Sequence, residues 1–237
     1  ASLPPGEYTS ITGNVALAWG IVAAGQLAKL PITLGSYPIT PASDILHELS
    51  NHKHFGIRTV QAEDEIAAVG MALGASFAGH LGITTTSGPG MALKGEAMGL
   101  AVMVELPLVI CNIQRGGPST GLPTKVEQSD LLSSIYGQPG DAPRVVMAPR
   151  TIEECFHAMV TARRIAETFR AVVIVLTDAN LATGVQQFTR PELDVRWQQG
   201  PVDQSPVPEG LRPYDWDPET GLSKRIIPGM PAGQHTV

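Results

Sequence analysis

Two cysteines, Cys111 and Cys155, are all that the 237 residues contain. So widely separated a pair builds neither a disulfide framework nor the closely spaced ligands of an iron–sulfur cluster. They read as two buried thiols in a reducing cytoplasm. Charge is also scarce: Asp, Glu, Lys and Arg make up 16% of the chain while hydrophobic residues make up 43%. Soluble proteins carry roughly a quarter charged residues, so large contacts with other subunits are expected to cover part of the surface. No basic run occurs and the net charge is −6, which excludes a protein that neutralises nucleic-acid phosphates with clustered Lys and Arg. Glycines and polar residues interrupt every apolar run well short of membrane-spanning length. The opening ASLPPGEYTS has no basic n-region or apolar h-region, so the expectation is a soluble, cytoplasmic protein with no membrane role. HExxH and CxxC are absent, which removes the commonest zinc protease and thioredoxin chemistries. The six histidines show no metal-ligand spacing, and His52 and His54 in a polar turn read as a solvated pair. No metal site is expected on this chain, and no internal repeat or low-complexity tract is present.

What is there is alternation. Short β-branched runs at 32–37, 57–61, 83–87, 108–114, 144–148 and 171–177 predict strands. Helical patterns at 14–28, 42–50, 63–79, 91–105, 129–136 and 151–168 fill the gaps. This order predicts an α/β fold, a doubly wound and mostly parallel sheet with helices on both faces. Asn14 is the expected N-cap of the first helix. From Pro191 the pattern fails: eight of the 20 prolines follow, with Trp197, Tyr214 and Trp216 among them. The chain is therefore expected to divide into an α/β domain over 1–190 and a proline-rich extended arm over 191–237 that wraps over a surface.

In an open α/β sheet ligands sit beyond the carboxyl ends of the strands, so the loops after the strands carry the candidates. In YPITPAS, Pro38 and Pro41 stiffen the segment around Tyr37, Ile39 and Thr40. This suits Thr40 to meet a ligand, although the same residues also make an ordinary proline turn with Ser43 helping to cap the next helix. Glu63, Asp64 and Glu65 open a helix, which the helix dipole favours in any case. Glu65 also heads a row of small residues, Ala68, Ala72 and Ser76, beside an apolar stripe of Ile66, Val69, Leu73 and Phe77. Small residues permit close approach by another helix or subunit. A carboxylate at the end of such a row is expected to be partly buried, and burial favours the protonated form, which suits proton exchange. Ser87, Gly88, Pro89 and Gly90 join a strand to a helix N-terminus, where glycines allow close approach to a ligand. With no Lys-Ser or Lys-Thr behind it, this is not a P-loop. In QRGGPSTGLPTKVEQSDL, Arg115 stands directly after a strand beside Gly116 and Gly117, with room to grip a carboxylate in bidentate fashion. Lys125 is placed to meet a second carboxylate. Both are equally the kind of residue found as plain surface charges.

Taken together and in this order, YPITPAS, the Glu65 helix, TTTSGPG and NIQRGGPSTGLPTKVEQSDL resemble the alpha subunit of 2-oxoacid:ferredoxin oxidoreductases over about residues 13–184. The resemblance implies the pyrimidine-binding domain of a thiamine diphosphate enzyme. Its helix-opening glutamate, nine residues before a glycine, hydrogen-bonds a ring nitrogen of the aminopyrimidine. Glu65, followed by Gly74, has that spacing and Glu63 does not, so the resemblance puts the role on Glu65, with Ser87, Gly88, Pro89 and Gly90 beside the cofactor. It also implies that Tyr37, Pro38, Ile39, Thr40, Arg115 and Lys125 face the substrate, Arg115 holding its carboxylate. Chemically, a carboxyl paired with the ring promotes removal of the thiazolium proton and so attack on a 2-oxo group. Electrons then leave singly through an iron–sulfur cluster to ferredoxin, and coenzyme A takes the acyl group.

No GDG followed by an asparagine segment is present for the magnesium diphosphate, and no cluster cysteines exist. The resemblance therefore implies a beta subunit carrying the diphosphate-binding domain, magnesium and the iron–sulfur cluster, in a hetero-oligomer. The ending at GQHTV leads to the expectation of a fragment or a short subunit. The style of the Arg115 loop points to 2-oxoglutarate, with pyruvate or branched-chain oxoacids as alternatives. A non-oxidative thiamine-dependent decarboxylase subunit and a non-catalytic scaffold domain also remain open at this point.

Overall fold

The computed structural model describes residues 3–198 and 203–235. Residues 1–2, together with 199–202 and 236–237 of the expected arm, lie outside the described residues. In chain order the elements are β1 (Tyr8–Thr12), α1 (Gly13–Ala28), β2 (Ile32–Ser36), α2 (Ser43–Ser50), β3 (Ile57–Gln61), α3 (Glu65–Phe77), β4 (Leu81–Thr86), α4 (Gly88–Leu93), α5 (Gly95–Met103), β5 (Leu108–Gln114), α6 (Leu131–Tyr136), β6 (Arg144–Met147), α7 (Ile152–Phe169), β7 (Val172–Asp178), α8 (Ala179–Thr183) and β8 (Val185–Thr189). Six strands form one sheet in the order β3-β2-β4-β5-β7-β6, and every pairing in it is parallel.

Strand composition explains the two helical layers. Successive strand side chains point to opposite faces. On β5 and β7, Val109, Cys111, Ile113, Val173 and Val175 pack in the core beneath α1, α2 and α7. Their neighbours Leu108, Ile110, Val172, Ile174 and Leu176 pack in the core beneath α3 and α5. A strand buried on both faces reads as a continuous apolar run, as these do. The doubly wound parallel sheet expected from the alternation is the sheet observed.

Three local expectations are corrected. Thr12, not Asn14, caps α1, its side chain accepting from the Val15 N–H at 3.3 Å. Asn14 is wholly buried and donates instead to the Pro41 carbonyl at 2.7 Å. It ties the start of α1 to the loop after β2, a long-range bond that local spacing does not show. Likewise α2 starts after Ala42 with no side-chain cap, so Ser43 does not serve as one. The row of small residues on α3 receives the chain's own sheet, not another subunit. A Cβ on Gly35 of β2 would lie 2.2 Å from the Ala68 carbonyl oxygen, and one on Gly82 of β4 would lie 2.1 Å from that of Ala72. Ala68, Ala72 and Ser76 are buried at this contact, while Ile66 of the expected apolar stripe is exposed.

The pattern also missed two features. β1 and β8 pair antiparallel in a separate two-stranded sheet; both are short and mostly exposed, so neither has an apolar alternation to read. The expected helix over 91–105 is two helices, α4 and α5, meeting at Lys94. Beyond Pro191 the described residues hold one short 3-10 turn, Val195–Trp197, and an isolated bridge between Trp216 and Ser223.

Candidate active site

The strand order reverses at β2: the chain steps outward to β3 and then crosses back to β4. Such a reversal opens a crevice beyond the strand ends, and here it brings the loops after β2, β3, β4 and β5 together. At its floor the Ser36 and Thr85 hydroxyls, paired in register, lie 2.7 Å apart.

After β2, the Ile39 carbonyl accepts from the Ala42 and Ser43 N–H groups at 2.7 and 3.1 Å, closing a tight turn around a cis Thr40–Pro41 peptide. Pro41 is buried on Asn14, Ile39 packs on the core, and Tyr37, Pro38 and Thr40 are exposed. After β3, Asp64 caps α3 by accepting from Ala67 N–H at 2.6 Å, which frees Glu65, the first helical residue, to turn inward. Glu65 is half-buried and Glu63 is exposed.

After β4, Ser87 is buried and caps α4 in an extended conformation, with Pro89 in the first turn. The Glu65 side chain lies across Gly90: a Cβ there would sit 2.6 Å from Glu65 Cγ, 3.3 Å from Glu65 Oε1 and 2.2 Å from Thr86 Oγ1. Only glycine leaves that space. The Glu65 helix and the SGPG turn, separate in sequence, are therefore one structure.

After β5, Arg115 is 7% exposed and joins two loops. Its Nη1 donates to the Thr40 carbonyl at 2.6 Å and its Nη2 to the Thr120 carbonyl at 2.7 Å. Burial pulls its pKa down while the Glu65 carboxylate opposes that, so the guanidinium and Glu65 share one electrostatic environment. The Arg115 Nε has no partner among the described residues. Gly116 N–H donates to the Lys125 carbonyl at 2.8 Å and its carbonyl accepts from Leu122 N–H at 2.8 Å, which folds 116–125 into a small hairpin. Lys125 thus starts beside Arg115 but its side chain is exposed. A cleft of about 720 Å³ opens between the hairpin and α4, lined by Gly88, Pro89, Leu93, Arg115, Thr120 and Asp130 among others. Thr40 meets it through Arg115, and Glu65 and Gly90 lie behind Gly88 and Pro89 rather than lining it.

Sequence reasoning passed over two groups here. Lys94 is fully buried, and its Nζ donates to the Glu65 carbonyl at 2.8 Å. Burial lowers its pKa to about 8, against the opposing pull of Glu65 and Asp64. A lysine in a helical pattern that is apolar apart from it and Glu96, GPGMALKGEAMGLAV, was the available signal. The second group is polar: Asn112 Nδ2 donates to Asp130 at 2.9 Å, and Asp130 N–H donates to the Gln114 side chain at 2.9 Å. This fixes Asp130 above Gly88, 3.2 Å from where a Cβ would be. Strand alternation would have placed Asn112 inward, but nothing local pairs it with residue 130.

Among the described residues no group of three or more His, Cys, Asp or Glu is arranged to hold a metal, and no helix is long and apolar enough to cross a membrane. Cys111 and Cys155 are free and buried, and burial pushes both thiols up to about 12. The site does suit a flat heteroaromatic ring. A half-buried carboxyl side chain packs against Gly90, and the buried Ser87 hydroxyl and Asn112 Oδ1 have no partner among the described residues. Buried polar atoms of this kind call for a ligand or water.

Residues 25–225 match the family model described as pyruvate flavodoxin/ferredoxin oxidoreductase, thiamine diphosphate-binding. The 2-oxoglutarate oxidoreductase subunit KorA of Mycobacterium tuberculosis is 52% identical over the whole chain, which covers 36% of that protein. The 2-oxoglutarate synthase subunit KorA of Methanothermobacter thermautotrophicus is 39% identical over 95% of the chain and 57% of its own length. A solved structure, the 2-oxoglutarate:ferredoxin oxidoreductase of Magnetococcus marinus with 2-oxoglutarate, coenzyme A and succinyl-CoA bound, superposes with a TM-score of 0.87 at 38% identity, over 98% of this chain and 40% of that one. The chain therefore spans between about a third and three fifths of the length of these relatives. With the fold, the crevice and the family match in agreement, the chain belongs to the pyruvate flavodoxin/ferredoxin oxidoreductase thiamine diphosphate-binding family.

Proposed function

We propose that this chain is the pyrimidine-binding part of a 2-oxoglutarate:ferredoxin oxidoreductase, acting in a complex that converts 2-oxoglutarate and coenzyme A to succinyl-CoA. One observation carries the reading: the Glu65 side chain packs against Gly90 of the SGPG turn, whose Gly88 and Pro89 line one cleft with Arg115. Thiamine diphosphate, when bound, supplies the carbon nucleophile that attacks the 2-oxo group and takes up the electrons released by decarboxylation. Glu65 exchanges the proton at the pyrimidine ring nitrogen. Ser87, Gly88, Pro89 and Gly90 form the surface on which the ring rests, and the unpartnered Ser87 hydroxyl gives a polar contact there.

Arg115 orients the substrate carboxylate. Its two bonds to backbone carbonyls leave one N–H on each of Nη1 and Nη2 for that purpose, while Nε is buried by the protein. Thr40 acts by fixing Arg115 through its carbonyl, with Tyr37, Pro38 and Ile39 shaping the loop. Lys125, beside Arg115 across the hairpin base, reaches the second carboxylate of a dicarboxylic substrate. We assign the binding domain to 1–190 and an extended arm to 191–237.

In this reading a beta subunit supplies the diphosphate-binding domain, magnesium and the iron–sulfur cluster, and ferredoxin takes the electrons. Exposed apolar side chains, Leu93 in the cleft wall and Leu122, Val126, Leu132 and Tyr136 on the hairpin, the segment after it and α6, support a covering partner, since exposed apolar surface marks association sites. The two free thiols fit a reducing, cytoplasmic location.

The test is to purify the complex from its native source, record its visible spectrum and assay coenzyme A-dependent viologen reduction with 2-oxoglutarate, pyruvate and branched-chain oxoacids in parallel. Brown protein that turns over 2-oxoglutarate fastest supports the proposal. Preference for another oxoacid overturns the substrate assignment, and a colourless decarboxylase overturns the electron-transfer assignment.

A further inference from the structure

Lys94 stands at the single residue where the helical segment after β4 is interrupted. It closes α4 and opens α5, with its N–H on the Met91 carbonyl at 3.2 Å and its own carbonyl on the Met98 N–H at 3.0 Å. The break turns the side chain inward: the residue is fully buried, yet its neighbour Ala92 is exposed and Gly95 meets nothing within 4 Å on its far side. An ammonium is costly to bury without compensation. The partner it finds is the backbone carbonyl of Glu65, at 2.8 Å. That carbonyl belongs to the first residue of α3, so the bond fixes the point from which the Glu65 side chain departs.

We propose that Lys94 is a positioning residue of the site: its buried ammonium holds the first turn of α3 so that the Glu65 carboxylate crosses Gly90 toward the ring nitrogen of the cofactor. This rests on the reading of Glu65 given above. The charged groups acting on Lys94 are Glu65 and Asp64, both on α3. Arg115, after β5, interacts electrostatically with Glu65, Asp130 faces Gly88, and Glu96 on α5 is exposed. Its lowered pKa of about 8 adds a consequence: loss of the ammonium proton removes both a charge beside Glu65 and the strength of the carbonyl bond.

The experiment uses the assembled complex with thiamine diphosphate and no oxoacid, and follows exchange of the thiazolium C2 proton for deuterium by acid quench and NMR across the pH range. The bound cofactor is quantified in each sample. The wild-type exchange rate, per bound cofactor, bends near pH 8. Lys94→Met lowers that rate by about tenfold, the worth of one charge-assisted hydrogen bond, and removes the bend. Lys94→Gln keeps a donor to the carbonyl without the charge, so it recovers part of the rate and still lacks the bend; it also serves if the Met variant fails to assemble. A wild-type rate and an unchanged bend in these variants overturn the proposal, as does a loss explained wholly by less bound cofactor. A wild-type complex that does not accelerate exchange over free thiamine diphosphate overturns the Glu65 reading instead.

Discussion

Gly90 is the residue on which the site's geometry depends most directly. A methyl group there meets Thr86 Oγ1 and Glu65 Cγ at once, so Gly90→Ala must displace the carboxylate. We expect the purified complex to retain its fold and lose about a hundredfold in thiamine-dependent turnover, since small misplacements of catalytic groups cost that much; an active Gly90→Ala complex would remove this contact from the account. Lys94 carries a stability prediction with a definite sign. Its folded pKa of about 8 lies below its ordinary 10.5, so between those values the unfolded chain binds the proton more tightly. The cost of burying the charge is full below pH 8 and fades as pH rises toward 10.5. Lys94→Met should therefore be stabilised by about 1 to 3 kcal/mol at pH 7, and thermal melts should show the gain shrinking above pH 8. A destabilised variant at pH 7 would show that the carbonyl bond outweighs the desolvation. At this scale the sequence was legible where residue type and loop position agree: Glu65, Arg115 and the SGPG turn all fall on one crevice. Lys94 and Asn14 were not legible, because their partners lie across the fold and nothing in the neighbouring letters marks a buried bond.

At the scale of elements, β-branched runs and helical patterns predicted the six parallel strands because strands buried on both faces read as short continuous apolar runs between helical patterns. β1 and β8 escaped notice because exposure removes that signal. The α4–α5 break escaped for a different reason: the apolar period continues across it, and only the inward turn of one lysine interrupts the helix. The close seat of α3 on β2 and β4 gives its own prediction. A Cβ at Gly35 or Gly82 has no space against the Ala68 or Ala72 carbonyl, and backbone cannot yield as a flexible side chain does. Gly35→Ala and Gly82→Ala should each cost about 1 to 3 kcal/mol, seen as a lower denaturant midpoint. Because α3 carries Glu65 at its first turn, turnover should fall with them, whereas Gly74→Ala, inside α3 with nothing within 4 Å, should leave turnover unchanged and raise stability by about 0.5 to 1 kcal/mol.

Across the whole molecule, the described part of the C-terminal stretch is held by a few buried charges. Arg225 pairs with Glu167 of α7 at 2.6 Å and donates to the Ser76 carbonyl of α3 at 2.7 Å, and both side chains of the pair are almost completely covered. Burial raises the Glu167 pKa while Arg225 opposes it. Arg225→Met removes the hydrogen-bonded partner of that carboxylate and leaves it only the charges of Arg163 and Arg170, which should cost about 2 to 4 kcal/mol. Without the opposing charge the Glu167 pKa rises further, so acidification lets the folded state take up the proton first. The deficit should be largest near neutral pH and smaller as pH falls. Equal deficits at both would place the cost in packing instead. The proline-rich composition foretold irregular backbone here, but not where it docks, since an ion pair between residues 225 and 167 leaves no trace in spacing.

The central claim is that Glu65 serves the pyrimidine ring of thiamine diphosphate, and one measurement tests it most directly. Glu65→Gln is made in the assembled complex, and 2-oxoglutarate-dependent, coenzyme A-dependent viologen reduction is followed beside the wild type. The account predicts a fall of about 10² to 10⁴, the usual worth of a positioned acid–base group, with the complex intact and its visible spectrum unchanged. Turnover at the wild-type rate would contradict it.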